Sequence, residues 1–187
     1  MNAPNLITLT RLLITAICFA LLGLEDPLNP EPTPIWWAFW LFVIAAATDF
    51  LDGYLARKTG TVTAFGRVVD PLADKILVCG ILVMLLDFPA ARISLMSTWY
   101  VVVILAREFL VTTIRGLAES QGVQFPAERL GKYKMVVQCF AAGGLLTLVA
   151  GSTTFEFVAV WGLWITLVLT VVSGAQYVYR ARRLLFA

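Results

Sequence analysis

Four aspartates, Asp49, Asp52, Asp70 and Asp74, lie in or beside long apolar segments of this chain. A carboxylate at membrane depth is energetically costly, so by default it indicates a functional site. The four form two pairs, separated by three and by four residues, and each pair lies on one side of a helix if the segments are helical. Two acidic helix faces that meet in an apolar environment need positive charge between them, and divalent metal ions can supply it.

The chemical type of these ligands narrows the choice of metal. Carboxylate oxygens are hard ligands that favour Mg²⁺ or Mn²⁺ over zinc or copper. Four carboxylates suit a site with two metal ions, which holds the attacking and leaving oxygens of an in-line phosphoryl displacement. We therefore predict a site for two Mg²⁺ or Mn²⁺ ions.

The residues around the aspartates are typical of a phosphate site. The stretch 49–74 follows the skeleton D-x2-D-G-x2-A-R-x8-G-x3-D-x3-D. Gly53 and Gly66 leave room for a ligand backbone or a phosphate group, and Ala56 keeps the same helix face thin. Arg57 can donate two parallel hydrogen bonds to phosphate oxygens.

The same aspartates also have a purely structural interpretation. An intramembrane carboxylate is often paired with a neighbouring cation, and Asp74 with Lys75 or Asp52 with Arg57 are the candidate pairs. Simple pairing does not account for four aspartates with interleaved Gly, Ala and Arg at this spacing, so we favour the metal site.

Composition limits the available chemistry. The sequence contains no histidine, which excludes a His-dependent nucleophile and removes the commonest general base. Cys18, Cys79 and Cys139 lie inside apolar runs without the spacing of metal ligands, so we expect them to be packing residues. Any catalysis therefore depends on carboxylates, basic side chains and metal.

Six long apolar segments must position these residues. The chain is 60% hydrophobic, more than is usual for a soluble domain, and each segment is near the ~20 residues that span a bilayer as a helix. Their length and lack of alternation argue against strands. We predict an all-α integral membrane protein, one domain over 1–187, with six transmembrane helices at 6–24, 35–56, 68–87, 94–114, 133–151 and 155–179.

The distribution of basic residues predicts the orientation in the membrane. Lys and Arg are concentrated in the links 57–67 and 115–134 and in the tail, whereas the link 25–34 is acidic and rich in proline. Excess Lys and Arg favours the cytoplasmic side. We therefore expect a multi-pass protein of the cell inner (cytoplasmic) membrane, with both termini and the active site facing the cytoplasm.

The aspartate skeleton resembles the signature of the CDP-alcohol phosphatidyltransferases at every fixed position, and the six-helix layout is similar to that family as well. The resemblance implies an integral membrane enzyme that displaces CMP from a CDP-lipid with an alcohol acceptor. It places metal on Asp49, Asp52 and Asp70, and it assigns Asp74 as the catalytic general base and a further metal ligand. The CDP group is expected near Asn5, Thr8, Asp52, Gly53, Ala56, Arg57, Thr63 and Gly66.

A second group of basic residues predicts an anionic acceptor. Arg107 and Arg115 lie two turns apart in the fourth segment, about 80° apart around a helix, and Lys132 and Lys134 approach from the same cytoplasmic side. Positive-inside topology explains the two lysines equally well, but it explains Arg107 less well because this residue lies inside an apolar segment. Glu108 balances the added charge or positions the acceptor, and the sequence leaves both roles open.

Two stretches, R-E-x6-R from Arg107 and G-K-x-K-x3-Q from Gly131, resemble family members whose acceptor is sn-glycerol 3-phosphate, and so does the start, N-x2-T-x2-R from Asn5. Asn5 or Thr8 has an equally good interpretation as the cap of the first helix. The resemblance implies a homodimer whose partners are CDP-diacylglycerol, sn-glycerol 3-phosphate and membrane lipid, with no nucleic acid. It places the acceptor phosphate against Arg107, Arg115, Lys132 and Lys134.

Two alternatives stay open. The same skeleton is compatible with another acceptor, such as phosphatidylglycerol, inositol phosphate or serine. A divalent-cation carrier also has intramembrane carboxylates. A carrier, however, needs polar residues that lead to both faces of the membrane, and here the charged residues crowd one face.

Overall fold

The computed structural model describes residues 3–59, 64–121 and 129–185, with side chains described for 9–48, 69, 72–73, 75–121 and 130–182. Over these residues the chain forms six α-helices, one short 3₁₀ helix at Pro89–Ala91 and no strand, which confirms the all-helical prediction. The α-helices are α1 (Ala3–Gly23), α2 (Pro32–Thr59), α3 (Ala64–Met84), α4 (Thr98–Ser120), α5 (Arg129–Val149) and α6 (Glu156–Leu185).

The helices coincide with the six predicted apolar segments but differ from them at their ends. The fourth segment was predicted to begin at residue 94, whereas α4 begins at Thr98, because Ser94 has a φ of 51° and Ser97 is an extended N-cap residue. The helix then continues to Ser120, well beyond the predicted end at 114. Hydropathy locates the apolar part of a helix, while backbone hydrogen bonding continues through polar residues, so the ends are the least accurate part of the prediction.

A continuous apolar core joins the helices. It includes Phe42, Leu82 and Leu145, which are almost fully buried. Tyr100 is also buried, and its hydroxyl donates to the Leu163 carbonyl oxygen at 3.2 Å, so the one polar atom of its side chain is satisfied. The three cysteines are free, and Cys18 and Cys79 belong to this core, in agreement with a packing role.

Small residues let α5 and α6 approach each other closely. A Cβ atom added at Gly144 would lie 3.0 Å from the Cβ of Ala159, and one added at Gly162 would lie 2.8 Å from the Cβ of Ala141. Close approach of helices at Gly and Ala is the usual packing mode where lipid surrounds the helices, because there association depends on van der Waals contact.

We expect Gly162→Leu to lower the free energy of unfolding by about 1–3 kcal/mol, because the added side chain must displace α5. The matched control is Gly116→Leu in α4, where an added Cβ meets nothing within 4 Å. Thermal unfolding of the two purified variants in detergent, followed by size-exclusion chromatography, measures the difference. Equal stability of the two variants would show that the small-residue contact is unimportant.

Large apolar side chains also cover the outside of the molecule. Such an exterior is unfavourable in water and favourable in lipid. Among the described residues one stretch, Glu156–Arg182, is long and apolar enough to cross a membrane, judged by its length and composition alone. Three further apolar stretches are shorter: Leu9–Gly23, Pro32–Thr48 and Lys75–Met84. The exposed apolar side chains occur on all six helices and include Leu13, Ile17, Trp37, Trp40, Leu72, Val83, Val102, Phe109, Val136, Phe140, Phe157 and Val168.

Candidate active site

The two aspartate pairs lie on consecutive helices that contact each other. Asp49 and Asp52 belong to α2 and Asp70 and Asp74 belong to α3, on either side of the link at 60–63. Their side chains lie outside the described residues, so the metal ligands and the role of Asp74 stay predictions. Among the side chains that are described, no group of three or more His, Cys, Asp or Glu residues is placed to hold a metal ion.

The residues predicted to bind CDP are distributed over three helices. α1 contacts both α2 and α3, so the backbone brings these helices together as a shared nucleotide site requires. The side chains concerned lie outside the described part of the chain, and Thr63 lies outside it entirely. The remaining residues of this set are Asn5 and Thr8 on α1, Gly53, Ala56 and Arg57 on α2, and Gly66 on α3.

Charged side chains from three helices meet at one carboxylate. We call this group the Glu108 cluster, and it consists of Lys75 on α3, Arg107 and Glu108 on α4, and Lys134 on α5. Arg107 and Lys134 are buried, and the Glu108 side chain is only 12% exposed. Burial of three charged groups is costly unless they pair with one another or with a ligand, so the convergence of Arg107, Glu108 and Lys134 indicates a built polar site.

Both oxygens of the Glu108 carboxylate are engaged. Oε1 accepts hydrogen bonds from Lys134 Nζ and from Arg107 Nη1, the latter at 3.1 Å. Oε2 lies 3.8 Å from Lys75 Nζ. Among the described side chains, one negative charge therefore pairs with three positive ones, and the members of the cluster carry an excess of positive charge.

Arg107 is held in place by its surroundings. Its Nη2 donates to Ser173 Oγ on α6 at 2.8 Å, and its guanidinium carbon lies 6.0 Å from the centre of the Tyr177 ring. A Cβ added at Gly174 would lie 3.3 Å from the Arg107 side chain, so the arginine stem packs directly against the α6 backbone. Two of the five guanidinium N–H donors are used in the hydrogen bonds to Glu108 and Ser173, and the buried Nε has no hydrogen-bond partner among the described residues.

Lys134 is positioned from its own helix. Its Nζ donates to Gln138 Oε1 at 2.8 Å, one turn further along α5. Gln138 Nε2 lies 3.9 Å from Cys79 Sγ on α3, a weak hydrogen bond that ties α5 to α3. The lysine ammonium is therefore directed at Glu108 from one side while Arg107 approaches from the other.

Two of the four predicted acceptor residues meet in the Glu108 cluster. Arg107 and Lys134 meet in the cluster, whereas Arg115 is half-buried two turns along α4 and Lys132 is exposed. Arg115 and Lys132 form no hydrogen bond or ion pair with any residue that the structure describes. Their contacts with an acceptor stay predictions.

Lys75 and Ser173 are members of this site that the sequence analysis missed. Lys75 was considered only as a partner of Asp74, yet its Nζ donates to Thr112 Oγ1 and, at 3.4 Å, to the Glu108 carbonyl oxygen. A lysine beside a long apolar stretch is by itself a signal of function, but the partners of Lys75 depend on how α3 packs on α4. Ser173 gave no signal, because a serine in an apolar helix ordinarily bonds to its own backbone.

An apolar cavity of about 520 Å³ lies between α2, α5 and the start of α6. The described side chains that line it are apolar, with the Cys139 thiol the most polar among them. Its α2 wall ends at Ala47, within one helical turn of Asp49. The lining residues include Phe39, Phe42, Ala46, Met135, Phe140 and Val158.

The sequence matches a protein-family model over most of the bundle. The family model described as CDP-alcohol phosphatidyltransferase matches residues 1–172. The chain therefore belongs to the CDP-alcohol phosphatidyltransferase family, an enzyme family of membranes.

Several curated relatives carry a more specific name. The chain is 38% identical over 185 residues to the CDP-diacylglycerol--glycerol-3-phosphate 3-phosphatidyltransferase of Bacillus subtilis (strain 168), covering 94% of this chain and 93% of the relative. It is 35% identical over 178 residues to the protein of the same name from Rickettsia typhi, covering 94% of each. It is 36% identical over 185 residues to the probable phosphatidylglycerophosphate synthase of Mycobacterium tuberculosis (strain H37Rv), covering 97% of this chain and 82% of the relative.

Proposed function

We propose that this protein transfers the phosphatidyl group from CDP-diacylglycerol to sn-glycerol 3-phosphate, giving phosphatidylglycerophosphate and CMP. Membership of the CDP-alcohol phosphatidyltransferase family supports the reaction class. The names of relatives that align along nearly the whole chain support the choice of both substrates.

The observation that carries the choice of acceptor is the Glu108 cluster. Its buried cations come from different helices, and Arg107 Nε has no described partner. A phosphate monoester carries about −1.5 to −2 charges at pH 7, and Arg and Lys donors in a partly dry site bind such a group strongly. An uncharged alcohol would leave this excess positive charge uncompensated.

The apolar cavity supports a lipid donor. Its lining is almost entirely apolar and suits hydrocarbon, with the Cys139 thiol as the most polar side chain, and it approaches the stretch of α2 that carries Asp49. An acyl chain of CDP-diacylglycerol in this cavity would leave the head group beside the aspartate helices. The donor thus enters laterally from the inner leaflet while its cytidine diphosphate reaches the residues at the cytoplasmic ends of α1, α2 and α3.

The reaction itself is a substitution at phosphorus. Asp74 accepts the proton of the glycerol hydroxyl. The hydroxyl oxygen forms a bond to the phosphorus attached to diacylglycerol, and the bond from that phosphorus to the bridging pyrophosphate oxygen breaks. CMP leaves with the electron pair of the broken bond. The Glu108 cluster meanwhile holds the acceptor by its phosphate, so that the hydroxyl is oriented for attack.

The aspartates fit a divalent metal, because their oxygens are the hard ligands that Mg²⁺ and Mn²⁺ prefer and the helices that carry them are in contact. Asp49, Asp52 and Asp70 would hold two ions together with Asp74. When bound, the ions neutralise the pyrophosphate and stabilise the charge of the leaving CMP.

The apolar exterior supports a multi-pass arrangement. Exposed apolar side chains on all six helices favour six spans, and the basic links favour cytoplasmic termini and a cytoplasmic active site. We place the protein in the cell inner membrane on this basis. Family resemblance further supports a homodimer.

The acceptor is tested with purified protein in liposomes that contain CDP-diacylglycerol. We expect CMP release to require sn-glycerol 3-phosphate and to be negligible with phosphatidylglycerol, inositol phosphate or serine. Glycerol is the matched control, because it offers the same hydroxyl without the phosphate. If CMP release were faster with one of the other acceptors than with sn-glycerol 3-phosphate, that compound would be the acceptor, and the proposed reaction class would still hold.

A further inference from the structure

We propose that Glu108 is a positioning residue for the acceptor phosphate, and that Lys75 is a third cation of the same site. This inference rests on the function proposed above. It assigns a role to one residue whose part the sequence left open and to another that the sequence analysis did not include. Neither residue is required to take part in proton transfer or bond breaking.

The geometry of Glu108 is that of a shared anchor. Its carboxylate accepts from Lys134 through Oε1 and faces Lys75 through Oε2 at 3.8 Å, so it spans the gap between α5 and α3. Arg107, the neighbouring residue on α4, donates to the same Oε1 at 3.1 Å. Without this carboxylate, three cations would face one another in a largely buried space and would move apart.

The charge balance of the cluster suits a phosphate monoester. Three cations and one carboxylate leave a net charge of +2 for the described members, from Lys75, Arg107 and Lys134 against Glu108. A phosphate monoester carries about −1.5 to −2 at pH 7. Glu108 therefore lowers the charge of the empty site without removing its preference for a dianion.

Lys75 brings the phosphate close to the predicted base. It directly follows Asp74 in α3, about 1.5 Å further along the helix axis. Its Nζ is tied to α4 through Thr112 Oγ1 and the Glu108 carbonyl oxygen. In sn-glycerol 3-phosphate the phosphate and the far hydroxyl belong to one small molecule, so an anchor for the first must lie near the base for the second.

The ammonium of Lys75 keeps its capacity to bind a further anion. Two of its three N–H donors go to Thr112 Oγ1 and the Glu108 carbonyl oxygen, so one donor is left. The side chain is 31% exposed, more than that of Lys134 or Glu108. Lys75 thus forms the open side of the cluster, while Arg107 and Lys134 form the buried side. An acceptor phosphate that enters from this side meets all three cations.

The test uses Glu108→Gln and Lys75→Met in the full-length protein in CDP-diacylglycerol liposomes, with Glu119→Gln as the control, because Glu119 is an exposed carboxylate of the same helix. We expect each of the first two variants to raise the KM for sn-glycerol 3-phosphate by about tenfold or more. The KM for CDP-diacylglycerol should stay at the wild-type value. Lys75→Arg, which keeps the charge, should recover most of the affinity.

Two further measurements separate positioning from general damage. The KM for sn-glycerol 3-phosphate should rise less in the double variant than the product of the rises in the two single variants, because both substitutions disrupt one interaction. The thermal stabilisation that sn-glycerol 3-phosphate gives the wild-type protein should be reduced in both variants and kept in Glu119→Gln.

An unchanged KM for the acceptor in Glu108→Gln would overturn the inference, and so would an equal rise of both KM values. These results are distinct from failure of the proposed function, in which the wild-type protein itself shows neither acceptor-dependent CMP release nor stabilisation by sn-glycerol 3-phosphate.

Discussion

Asp74→Asn is expected to reduce turnover by about 10²–10⁴-fold, the contribution usual for a general base. The substitution keeps the size of the side chain but removes its ability to take a proton at neutral pH. Asp49, Asp52 and Asp70 remain, so binding of CDP-diacylglycerol should stay measurable. The effect should therefore appear in kcat, with little change in the KM for the lipid.

Asp87→Asn is the matched control for this experiment, because Asp87 is an exposed aspartate in the turn after α3. CMP release measures turnover, and calorimetric titration with CDP measures nucleotide binding. Wild-type turnover in Asp74→Asn would remove Asp74 as the base. Loss of CDP binding together with activity would show that its main role is in the nucleotide or metal site.

Arg107→Met is expected to lower kcat/KM for sn-glycerol 3-phosphate by about a hundredfold, the equivalent of one strong charge-assisted hydrogen bond. In the free protein Arg107 contacts Glu108 and Ser173, and its Nε is buried without a described partner. Arg107→Lys keeps the charge but not the planar fork of donors, so its loss should be intermediate. Most of either loss should appear in the KM for the acceptor.

Arg182→Met provides the control for Arg107→Met. Arg182 is an exposed residue of α6 whose guanidinium carbon lies 4.3 Å from the centre of the Tyr179 ring, and it is not a member of the Glu108 cluster. We expect it to have wild-type kinetics for both substrates. A similar loss in both arginine variants would point to a general effect of charge removal near the membrane surface rather than to an acceptor site.

The helices were the most predictable part of this protein. Their apolar segments are long, so hydropathy located all six, while polar continuations such as the last turns of α4 could only be found from backbone hydrogen bonding. The cavity between α2 and α5 could not be predicted, because an empty space depends on how side chains from separate helices fail to fill it. The sequence pattern of a single helix carries no information about such a space between helices.

Residue types alone predicted part of the Glu108 cluster. Arg107 was recognisable because a cation within an apolar segment needs a reason to be there. The part played by Glu108 was not recognisable, since its adjacency to Arg107 says nothing of Lys134 on α5 or Lys75 on α3. Local sequence identified the charges, and the packing of α3, α4 and α5 decided which of them meet.

The most direct test of the account is incorporation of radiolabelled sn-glycerol 3-phosphate into lipid by the purified protein in liposomes. We expect label to enter the chloroform-soluble fraction only when CDP-diacylglycerol is present, with one CMP released per molecule incorporated, and Asp74→Asn to incorporate almost none. If CMP were released without any label reaching the lipid, or if label were incorporated without the CDP-lipid, the proposed transfer would be contradicted.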